Sequence, residues 1–428
     1  MDALIVIGTL LVCISLGVPI AYALGLSALA AAWWIDIPLE AIMLQVSSGV
    51  SKFAMLTIPF FVLAGALMAE GGIARRLVGF ANVLVGFLRV RGGLSVVNIV
   101  ATTFMSGISG SAVADISAIG SVMIPQMEKV GYPRVFATNV TISASVQALL
   151  IPPSHNAVIY SLATGGTISI ISLFLAGVVP GLLLGFSLIV LCLVLAYRNN
   201  HPKGEPVPLR DAARLAVDAF WGLITLIIIL GGILGGVFTA VEAGAVACVW
   251  AFFVTMFIYR EYPWRELPAL VHRVLRTVAM VMTLIAFASA VGYMMAMMQV
   301  PAKITSFFLT FSHNKNVILL MINVMLLVLG CLVDMAPAIL IVTPILLPVM
   351  INFGVDPVHF GMIMLMNLGI GLCHPPVGAI LFVGCAVGKV TLEQVMREIW
   401  PFYLVMFTVL MLVTYIPGIS LWLVHLYG

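Results

Sequence analysis

Apolar runs recur from Leu4 to the C-terminus of this 428-residue chain, and short polar stretches separate them. A helix that crosses a bilayer needs about 20 consecutive apolar residues, and the runs are long enough to supply several such helices. Small, polar and proline residues interrupt the apolar pattern at only a few places. The pattern therefore predicts an all-α polytopic membrane protein in which a few helices are irregular.

Two of the apolar runs contain a proline pair. The first is Ile151-Pro152-Pro153-Ser154-His155-Asn156 and the second is His374-Pro375-Pro376-Val377-Gly378. Proline cannot donate the helical hydrogen bond, and it clashes with the preceding turn. At bilayer depth the freed carbonyl groups must face protein, an ion or a water-filled cavity. We therefore predict broken helices at about residues 138–165 and 358–388. Broken helices in matching halves of a chain commonly form the binding site of a transporter.

A second irregular stretch precedes each proline pair. Residues 106–115 read SGISGSAVAD, and residues 330–337 read GCLVDMAP. Glycine and serine allow the backbone to reverse tightly. We predict a re-entrant helical hairpin at each place, at about residues 95–125 and 318–350.

The two halves of the chain resemble each other. A shift of 223 residues, from Pro152 to Pro375, also superimposes helix breakers elsewhere: Pro125 on Pro348, Gly131 on Gly354, and Pro153 on Pro376. Self-similarity of this kind indicates an internal repeat, here a unit of about 210 residues. We predict a first repeat at 1–197 and a second at 215–428, joined by the polar linker 198–214.

The distribution of cations predicts that the repeats are inverted. The linker carries Arg198, Lys203, Arg210 and Arg214, which places it in the cytoplasm by the positive-inside rule. The loop with Arg75, Arg76, Arg89 and Arg91 is predicted to be cytoplasmic for the same reason. Residues 260–276 hold four arginines, whereas their first-half counterpart, 36–52, holds one lysine. Corresponding segments thus lie on opposite sides, with the N-terminus outside, and we predict that both segments lie in the interface as amphipathic helices.

Composition narrows the possible functions. Hydrophobic residues make up 63% of the chain, charged residues 8%, and the mean hydropathy is +1.23. A water-soluble domain is normally about a quarter charged, so this class is excluded. The net charge of +3 and the absence of a dense basic run argue against nucleic acid as a partner. The six cysteines have no ligand spacing and are predicted to be small core residues.

Helix ends near the bilayer midplane would suit a transported anion and a cation. Helix N-termini attract carboxylates, and C-terminal carbonyls attract cations. Serine hydroxyls at Ser109, Ser111 and Ser154, with the amide of Asn156, add neutral oxygens that can bind a hard ion. Small residues also let membrane helices pack closely, so packing is the alternative role for each serine.

The titratable residues in these stretches have two possible roles each. Asp115 and Asp334 either bind an ion or cap the outgoing hairpin helix. His155 and His374 either donate to the substrate or carry protons, or else they satisfy a freed carbonyl locally. For Glu242, near the start of an apolar helix, a capping or interfacial role is favoured over transport.

Five motifs in order make the chain similar to the large (DctM-type) membrane subunit of tripartite ATP-independent periplasmic (TRAP) transporters. The resemblance covers essentially the whole chain. The motifs are SGISGSAVADISAIGSVMIPQMEKVGYP (106–133), LLIPPS (149–154), GGVFTAVEAGAVA (235–247), DMAPAILIVTPILLPV (334–349) and NLGIGLCHPPVG (367–378). The resemblance implies inverted repeats, each with a hairpin and a broken helix, and an elevator-type transport part that moves against a scaffold. It also implies the multi-pass inner membrane of a bacterium and a transport function in place of an enzymatic one.

The resemblance places sodium and substrate at the two hairpins and the two breaks, and the residues chosen there are our own prediction. Substrate-binding residues are predicted to be Ser109, Ser111, Ser154, His155, Asn156 and His374. Sodium-binding residues are predicted to be Ser106, Gly107, Gly110, Asp115, Pro152, Asp334, Met335, Cys373, Pro376 and Gly378.

The chain departs from the family pattern at two places. His374 stands where many relatives have a hydroxyl residue, and His155-Asn156 stands where an apolar pair is common. The additional hydrogen-bonding groups favour a sugar acid such as sialic acid over a small C4-dicarboxylate.

The resemblance further implies sodium-driven symport of an organic acid that a soluble periplasmic binding protein delivers. The chain begins directly with the large subunit, so we expect a separate small four-helix membrane subunit as a partner. No Walker-type GxxxxGK[ST] sequence occurs, and ATP binding is not expected.

Two other functions are alternatives to this one. An intramembrane hydrolase would use Asp115 and Asp334 as a carboxylate pair, or Ser154 and His155 as nucleophile and base. A sodium- or proton-driven exchanger without a binding protein would share the fold, and only the family motifs speak against it.

Overall fold

The computed structural model describes residues 2–86, 90–203 and 208–427, and regular secondary structure there is helical. Arg89 and part of the predicted linker, residues 204–207, lie outside the described residues. The helices of the first half are α1 (Asp2–Ser15), α2 (Ile20–Trp34), α3 (Leu39–Val50), α4 (Thr57–Glu70), α5 (Ile73–Gly86), α6 (Gly93–Ser109), α7 (Ala112–Lys129), α8 (Arg134–Ser145), α9 (His155–Ala163) and α10 (Ile170–Arg198).

The second half follows with helices of the same kind. They are α11 (Leu209–Leu226), α12 (Gly232–Leu234), α13 (Ala240–Phe253), α14 (Leu267–Met297), α15 (Val300–Phe311), α16 (Lys315–Leu332), α17 (Met335–Asn352), α18 (Pro357–Gly371), α19 (Ala379–Gly388), α20 (Leu392–Glu398), α21 (Trp400–Tyr415) and α22 (Pro417–Tyr427). Within the described residues, 7 helices are long and apolar enough to cross a membrane, or 9 if each of two bent pairs forms one span. The chain is an all-α membrane protein, as the apolar pattern predicts.

Helices α6 and α7 form a hairpin whose two ends meet on one side of the molecule. The tip reverses at Gly110, whose φ of +60° is a left-handed conformation that glycine adopts without a steric cost. At the open end, the carbonyl of Pro202 accepts a hydrogen bond from the Gly92 N–H at 3.0 Å and another from the Tyr132 hydroxyl at 3.3 Å. The segment that follows α10 therefore holds together the start of α6 and the end of α7.

Helices α16 and α17 also begin and end near each other. The Lys315 ammonium donates to the carbonyl of Gly354 at 2.8 Å and joins the start of α16 to the turn after α17. Gly354 and its first-half counterpart Gly131 both have positive φ, +69° and +103°. Unlike α6 and α7, the two arms share few contacts, and α17 packs on α9, α14, α15 and α18.

Both helices with a proline pair are broken. Helix α8 continues as a short 3₁₀ segment (Val146–Leu149) before α9 starts at His155, and α18 ends at Gly371 before α19 starts at Ala379. The Pro152–Pro153 and Pro375–Pro376 peptide bonds are both cis.

Equivalent elements of the two halves make equivalent contacts across the molecule. Helix α7 packs on α19, and α17 packs on α9. Arg134 Nε donates to the carbonyl of Gly388 at 2.5 Å, and the Tyr160 hydroxyl donates to the carbonyl of Pro357 at 2.8 Å. Positions 134 and 357 correspond under the shift of 223 (357 − 134 = 223). The hairpins and broken helices of both halves therefore form one interlocked body, while their inverted orientation remains a prediction.

Buried amides fasten each hairpin to the first part of its broken helix. Asn98 Nδ2 on α6 donates to Thr141 Oγ1 on α8 at 2.8 Å, and Asn367 Nδ2 on α18 donates to Asn323 Oδ1 on α16 at 2.7 Å. All four side chains are buried. A polar group in an apolar surrounding is costly unless it is paired, so these contacts fix the register of hairpin and broken helix.

One of the two segments predicted to be short interfacial helices is not a separate helix. Residues 39–50 form the short separate helix α3, but residues 267–276 are the first part of the 31-residue α14, a candidate membrane span. No glycine or proline interrupts α14 between Pro268 and Gly292, whereas a 3₁₀ turn follows α3 at Phe53–Leu56. The second half thus has one continuous helix where the first half has α3, a 3₁₀ turn and α4.

Segments with predicted cytoplasmic cations contact one another in two pairs. Arg91 Nη1 donates to Asn200 Oδ1 at 2.5 Å, and Arg76 Nη2 donates to Glu261 Oε1 at 2.7 Å. The loop after α10 thus lies beside Arg91 at the open end of the first hairpin, and the loop after α13 lies beside the first turn of α5.

Candidate substrate and ion site

The tip of the first hairpin is built around Asp115. Its carboxylate is fully buried and accepts one hydrogen bond from the Ser106 hydroxyl at 2.6 Å and another from the Ser109 hydroxyl. Both serines lie at the end of α6, and Asp115 lies in the first turn of α7. The carboxylate therefore ties the two arms of the hairpin together directly below the turn.

Ser111, and not Asp115, is the N-cap of α7. The Ser111 hydroxyl accepts from the Ala114 N–H at 3.4 Å, as expected of a capping serine. Asp115 lies one turn further on and makes no cap contact. The capping role considered for Asp115 is therefore wrong, because the side chain bonds to serine hydroxyls in place of backbone N–H groups.

The first hairpin tip is seated against the first break. The carbonyl oxygen of Pro153 lies directly over the α-carbon of Gly110, and a methyl group at that carbon would overlap it. The carbonyl oxygen of Pro152 would lie 3.6 Å from a methyl group on Gly107. The structure thus gathers the five first-half residues predicted to bind sodium: Ser106, Gly107, Gly110, Asp115 and Pro152. Carbonyl, hydroxyl and carboxylate oxygens are donors that suit a hard cation.

The residues that follow the first proline pair have separate roles. The Ser154 hydroxyl donates to the carbonyl of Leu149 at 2.8 Å and accepts from the Ala157 N–H at 3.4 Å, which makes it the N-cap of α9. His155 Nδ1 is buried and has no hydrogen-bond partner among the described residues. Ser154 and His155 are therefore not paired as nucleophile and base. Asn156 is 8% exposed and makes no side-chain hydrogen bond within the described part of the chain.

The second break is held by a tyrosine from outside it. The buried Tyr403 hydroxyl, on α21, donates to the carbonyl of Cys373, and the Tyr403 ring stacks on His374 with centroids 5.4 Å apart. His374 Nδ1 lies 2.9 Å from the carbonyl of Pro375, so this histidine satisfies a local carbonyl. The carbonyl oxygens of Leu372 and His374 converge on the α-carbon of Gly378.

The second hairpin tip contacts this break through the backbone. The Val377 N–H donates to the carbonyl of Cys331 at 3.1 Å. Asp334 occupies the N-cap position of α17, but its exposed side chain makes no capping hydrogen bond. Met335 is buried in the first turn of α17, and Pro376 is exposed in the break. The second-half set thus includes an exposed carboxylate, whereas the carboxylate of the first-half set is buried and hydrogen-bonded.

Replacing Tyr403 by phenylalanine should weaken the second break. The change leaves the buried Cys373 carbonyl without its donor, which costs about 1–3 kcal/mol. We expect a lower melting temperature and a severalfold higher sodium concentration for half-maximal uptake. Tyr160→Phe is the matched control, because it also removes a hydroxyl that donates to a backbone carbonyl, that of Pro357. An equal change in sodium dependence in both variants would contradict a specific role for Tyr403.

A cavity of about 320 Å³ adjoins the first hairpin tip. It lies between α4 and α14 on one side and α7 and α9 on the other, and its polar wall includes Ser109, Ser111, His155, Thr277, Glu70 and Arg273. Three of the predicted substrate residues, Ser109, Ser111 and His155, therefore line one cavity. Ser154, Asn156 and His374 do not belong to its wall.

Glu70, Arg273 and Tyr403 were not predicted from the sequence. Each acts from a helix outside the two irregular stretches, and no local motif marks it. The capping role favoured for Glu242 is confirmed: Thr239 N–H donates to Glu242 Oε2 at 2.8 Å, and Glu242 N–H donates to Thr239 Oγ1 at 3.3 Å.

Comparison with known proteins gives a consistent result. The profile of the family described as "Tripartite ATP-independent periplasmic transporter, DctM component" matches residues 7–419. The chain is 42% identical to YgiK of Salmonella typhimurium, over 99% of this chain and 98% of that one. It is 35% identical to the C4-dicarboxylate TRAP transporter large permease protein DctM of Rhodobacter capsulatus over the full length of both chains (100% of each). It is also 35% identical to the sialic acid TRAP transporter large permease protein SiaM of Vibrio cholerae, over 90% of this chain and 89% of that one.

Among solved structures, the YdaH transporter of Alcanivorax borkumensis is similar in fold. The TM-score is 0.63 at 14% sequence identity, and the match covers 89% of this chain and 88% of YdaH. Seven or more apolar helices and full-length permease relatives identify a multi-pass protein of the bacterial inner membrane that is a transporter and not an enzyme. The chain belongs to the DctM family, the large membrane component of the tripartite ATP-independent periplasmic transporters.

Proposed function

We propose that this chain is the permease subunit for sodium-coupled uptake of an organic acid, with a sugar acid favoured over a C4-dicarboxylate. The observation that carries the proposal is the contact between the first hairpin tip and the first break. It places the Asp115 carboxylate, two serine hydroxyls and the carbonyl oxygens of Pro152 and Pro153 around a turn beside a cavity.

Sodium suits the oxygen donors at this tip. A small hard cation binds carbonyl, hydroxyl and carboxylate oxygens, and a buried carboxylate needs compensation in an apolar surrounding. The backbone oxygens of the second break, gathered around Gly378, are the donors for a second ion. We treat sodium as a transported ion, which binds and is released in each cycle.

The cavity beside the tip suits the acid. Its volume of about 320 Å³ falls at the lower end of the roughly 300–1,000 Å³ of ligand pockets. Neutral hydrogen-bonding groups from Ser109, Ser111, Thr277 and His155 line it. Several neutral donors and acceptors suit the hydroxyl groups of a sugar acid. Because some relatives are named for a C4-dicarboxylate and others for sialic acid, both substrate classes are included in the test.

Transport would proceed by alternating access of the elevator type. The hairpins and broken helices would move as one body, since α7 packs on α19 and α17 packs on α9. Helices α4 and α14, across the cavity, would belong to the scaffold. Sodium and acid would each raise the other's affinity, because such coupling is reciprocal at equilibrium.

Two partners complete the proposed system. A soluble periplasmic binding protein would deliver the acid, and a separate small membrane subunit would accompany this chain, in keeping with the tripartite organisation of the family.

Uptake into proteoliposomes tests the proposal. The vesicles contain this chain and its small subunit, and the labelled acids are succinate, 2,3-diketo-L-gulonate and N-acetylneuraminate. We expect uptake of at least one acid only when an inward sodium gradient and the binding protein are both present. Replacing external sodium by potassium at equal ionic strength is the control for general salt effects.

Uptake that needs neither sodium nor the binding protein would overturn the proposal and favour an independent exchanger. Uptake driven equally by a proton gradient without sodium would overturn the sodium coupling alone. Preference for succinate over N-acetylneuraminate would overturn the choice of a sugar acid.

A further inference from the structure

An ion pair forms part of the cavity wall opposite the first hairpin tip. Arg273 on α14 and Glu70 at the end of α4 both line the cavity, and Arg273 Nη2 lies 2.6 Å from each carboxylate oxygen of Glu70. They are the two charged residues among the described residues of that wall. Among the described residues of the wall, the formal positive charge that a ligand meets is therefore that of Arg273.

The Arg273 guanidinium has unused donors. An arginine has five N–H groups, and both hydrogen bonds to Glu70 come from Nη2. Within the described residues, Nη1 and Nε of Arg273 have no hydrogen-bond partner. The side chain is 61% exposed, so that these donors can reach a ligand.

One face of α14 lines the cavity. Leu270, Arg273, Val274, Thr277 and Val281 recur at helical spacing, and all five line the wall. Leu270, Val274 and Val281 supply apolar parts of the wall, and Thr277 adds a hydroxyl one turn after Arg273. A carboxylate at Arg273 would thus leave the rest of an acid beside Thr277, Ser109 and Ser111.

We propose that Arg273 is the subsite for the carboxylate of the transported acid, and that Glu70 occupies this subsite when the acid is absent. The proposal rests on the proposed function and adds a specificity residue from the scaffold side of the cavity. Planar guanidinium groups match carboxylates in geometry, which makes arginine better suited than lysine to this role.

Glu70 acts as a competitor of the substrate. Paired with Glu70, the guanidinium presents no net charge to an arriving anion, and a bound acid carboxylate would lie close to a second carboxylate. Binding of the acid therefore displaces Glu70, and the return of Glu70 favours release. An exposed ion pair contributes little to stability, so neither partner is needed for folding.

Equilibrium binding to the purified full chain with its small subunit tests this subsite. The probes are radiolabelled N-acetylneuraminate and succinate, in sodium buffer and without the binding protein. For Arg273→Gln we expect Kd for the bound acid to rise by about tenfold to a hundredfold, the range for loss of a hydrogen bond to a charged group. For Glu70→Gln we expect Kd to fall severalfold, and for Arg273→Lys an intermediate rise.

Matched controls remove the same charges elsewhere on the chain. Glu261→Gln breaks the Arg76–Glu261 pair, and Arg397→Gln breaks the Arg397–Glu393 pair, both outside the cavity wall. Neither control should change Kd, and melting temperatures confirm that every variant is folded. An unchanged Kd in Arg273→Gln, or a higher Kd in Glu70→Gln, would overturn the inference. The proposed function would stand in that case, provided that the wild type binds the acid. A wild type that binds neither acid would defeat the proposed function and this inference together.

Discussion

Sodium-driven uptake is expected to fall by about a hundredfold when Asp115 is replaced by alanine, which corresponds to a loss of roughly 2.7 kcal/mol. The alanine leaves the hydroxyls of Ser106 and Ser109 without their buried acceptor. Each unpaired group in an apolar surrounding costs about 1–3 kcal/mol, so the melting temperature should also fall. Uptake in proteoliposomes and thermal unfolding in detergent measure the two effects.

Asp334→Ala is the matched control for this change. It removes the same group from the other hairpin tip, where the side chain is exposed and makes no capping hydrogen bond. We expect no change in melting temperature. Asp115→Asn removes the negative charge but keeps the size of the side chain and one acceptor oxygen for the serines. Comparing it with Asp115→Ala therefore separates the effect of the charge from that of the side-chain shape. Equal losses of stability in Asp115→Ala and Asp334→Ala would contradict the role given to the Asp115 carboxylate.

Alanine at Gly110 should be the other strongly damaging substitution. Gly110 has φ of +60°, where a side chain costs about 1–2 kcal/mol, and a methyl group there would overlap the carbonyl oxygen of Pro153. The tip must then separate from the break, and the oxygens that surround the turn lose their arrangement. We expect loss of sodium-dependent uptake beyond the loss of stability, measured by uptake normalised to folded protein.

Gly236→Ala provides the comparison for the backbone effect. Gly236 has φ of +67°, and a methyl group there would have nothing within 4 Å. Gly236→Ala should lose a similar amount of folding free energy, because its side chain also stands at positive φ, but it should keep its uptake. If both variants lost uptake to the same extent, the contact between tip and break would not be the cause.

The irregular helices could be predicted from the sequence because their causes are local. Proline pairs break a helix wherever they occur, and a glycine between serines favours a tight reversal. The structure accordingly begins α9 at His155 after Pro152 and Pro153, and it turns the hairpin at Gly110. The capping box at Glu242 depends on Thr239 three residues earlier, and it too could be predicted.

The contacts of the site could not be predicted in the same way. Ser111 and Asp115 are both able to cap α7, and the choice depends on Ser106 and Ser109 lying across the turn from Asp115. The role of Tyr403 depends on a helix 30 residues beyond Cys373. Such pairings arise from helix packing, which no periodicity in one segment reveals.

The Arg273–Glu70 pair shows the same limit more strongly, because 203 residues separate its members. The sequence marks Arg273 only as one of several arginines in an amphipathic segment. That segment was expected to lie in the interface, but it continues into α14 and brings Arg273 to the cavity wall.

The carbonyl of Pro202 holds both ends of the first hairpin, and this makes the neighbouring residue a position for an optical reporter. Lys203 is exposed and forms an isolated backbone bridge with Arg91, next to the hairpin's first residue. If the hairpin moves against the scaffold as proposed, a fluorophore attached to the Lys203→Cys variant and a second one on α13 would record the displacement as a change in energy transfer. The proposed motion of the buried tip could thus be tested in real time from the surface, without a label in the cavity.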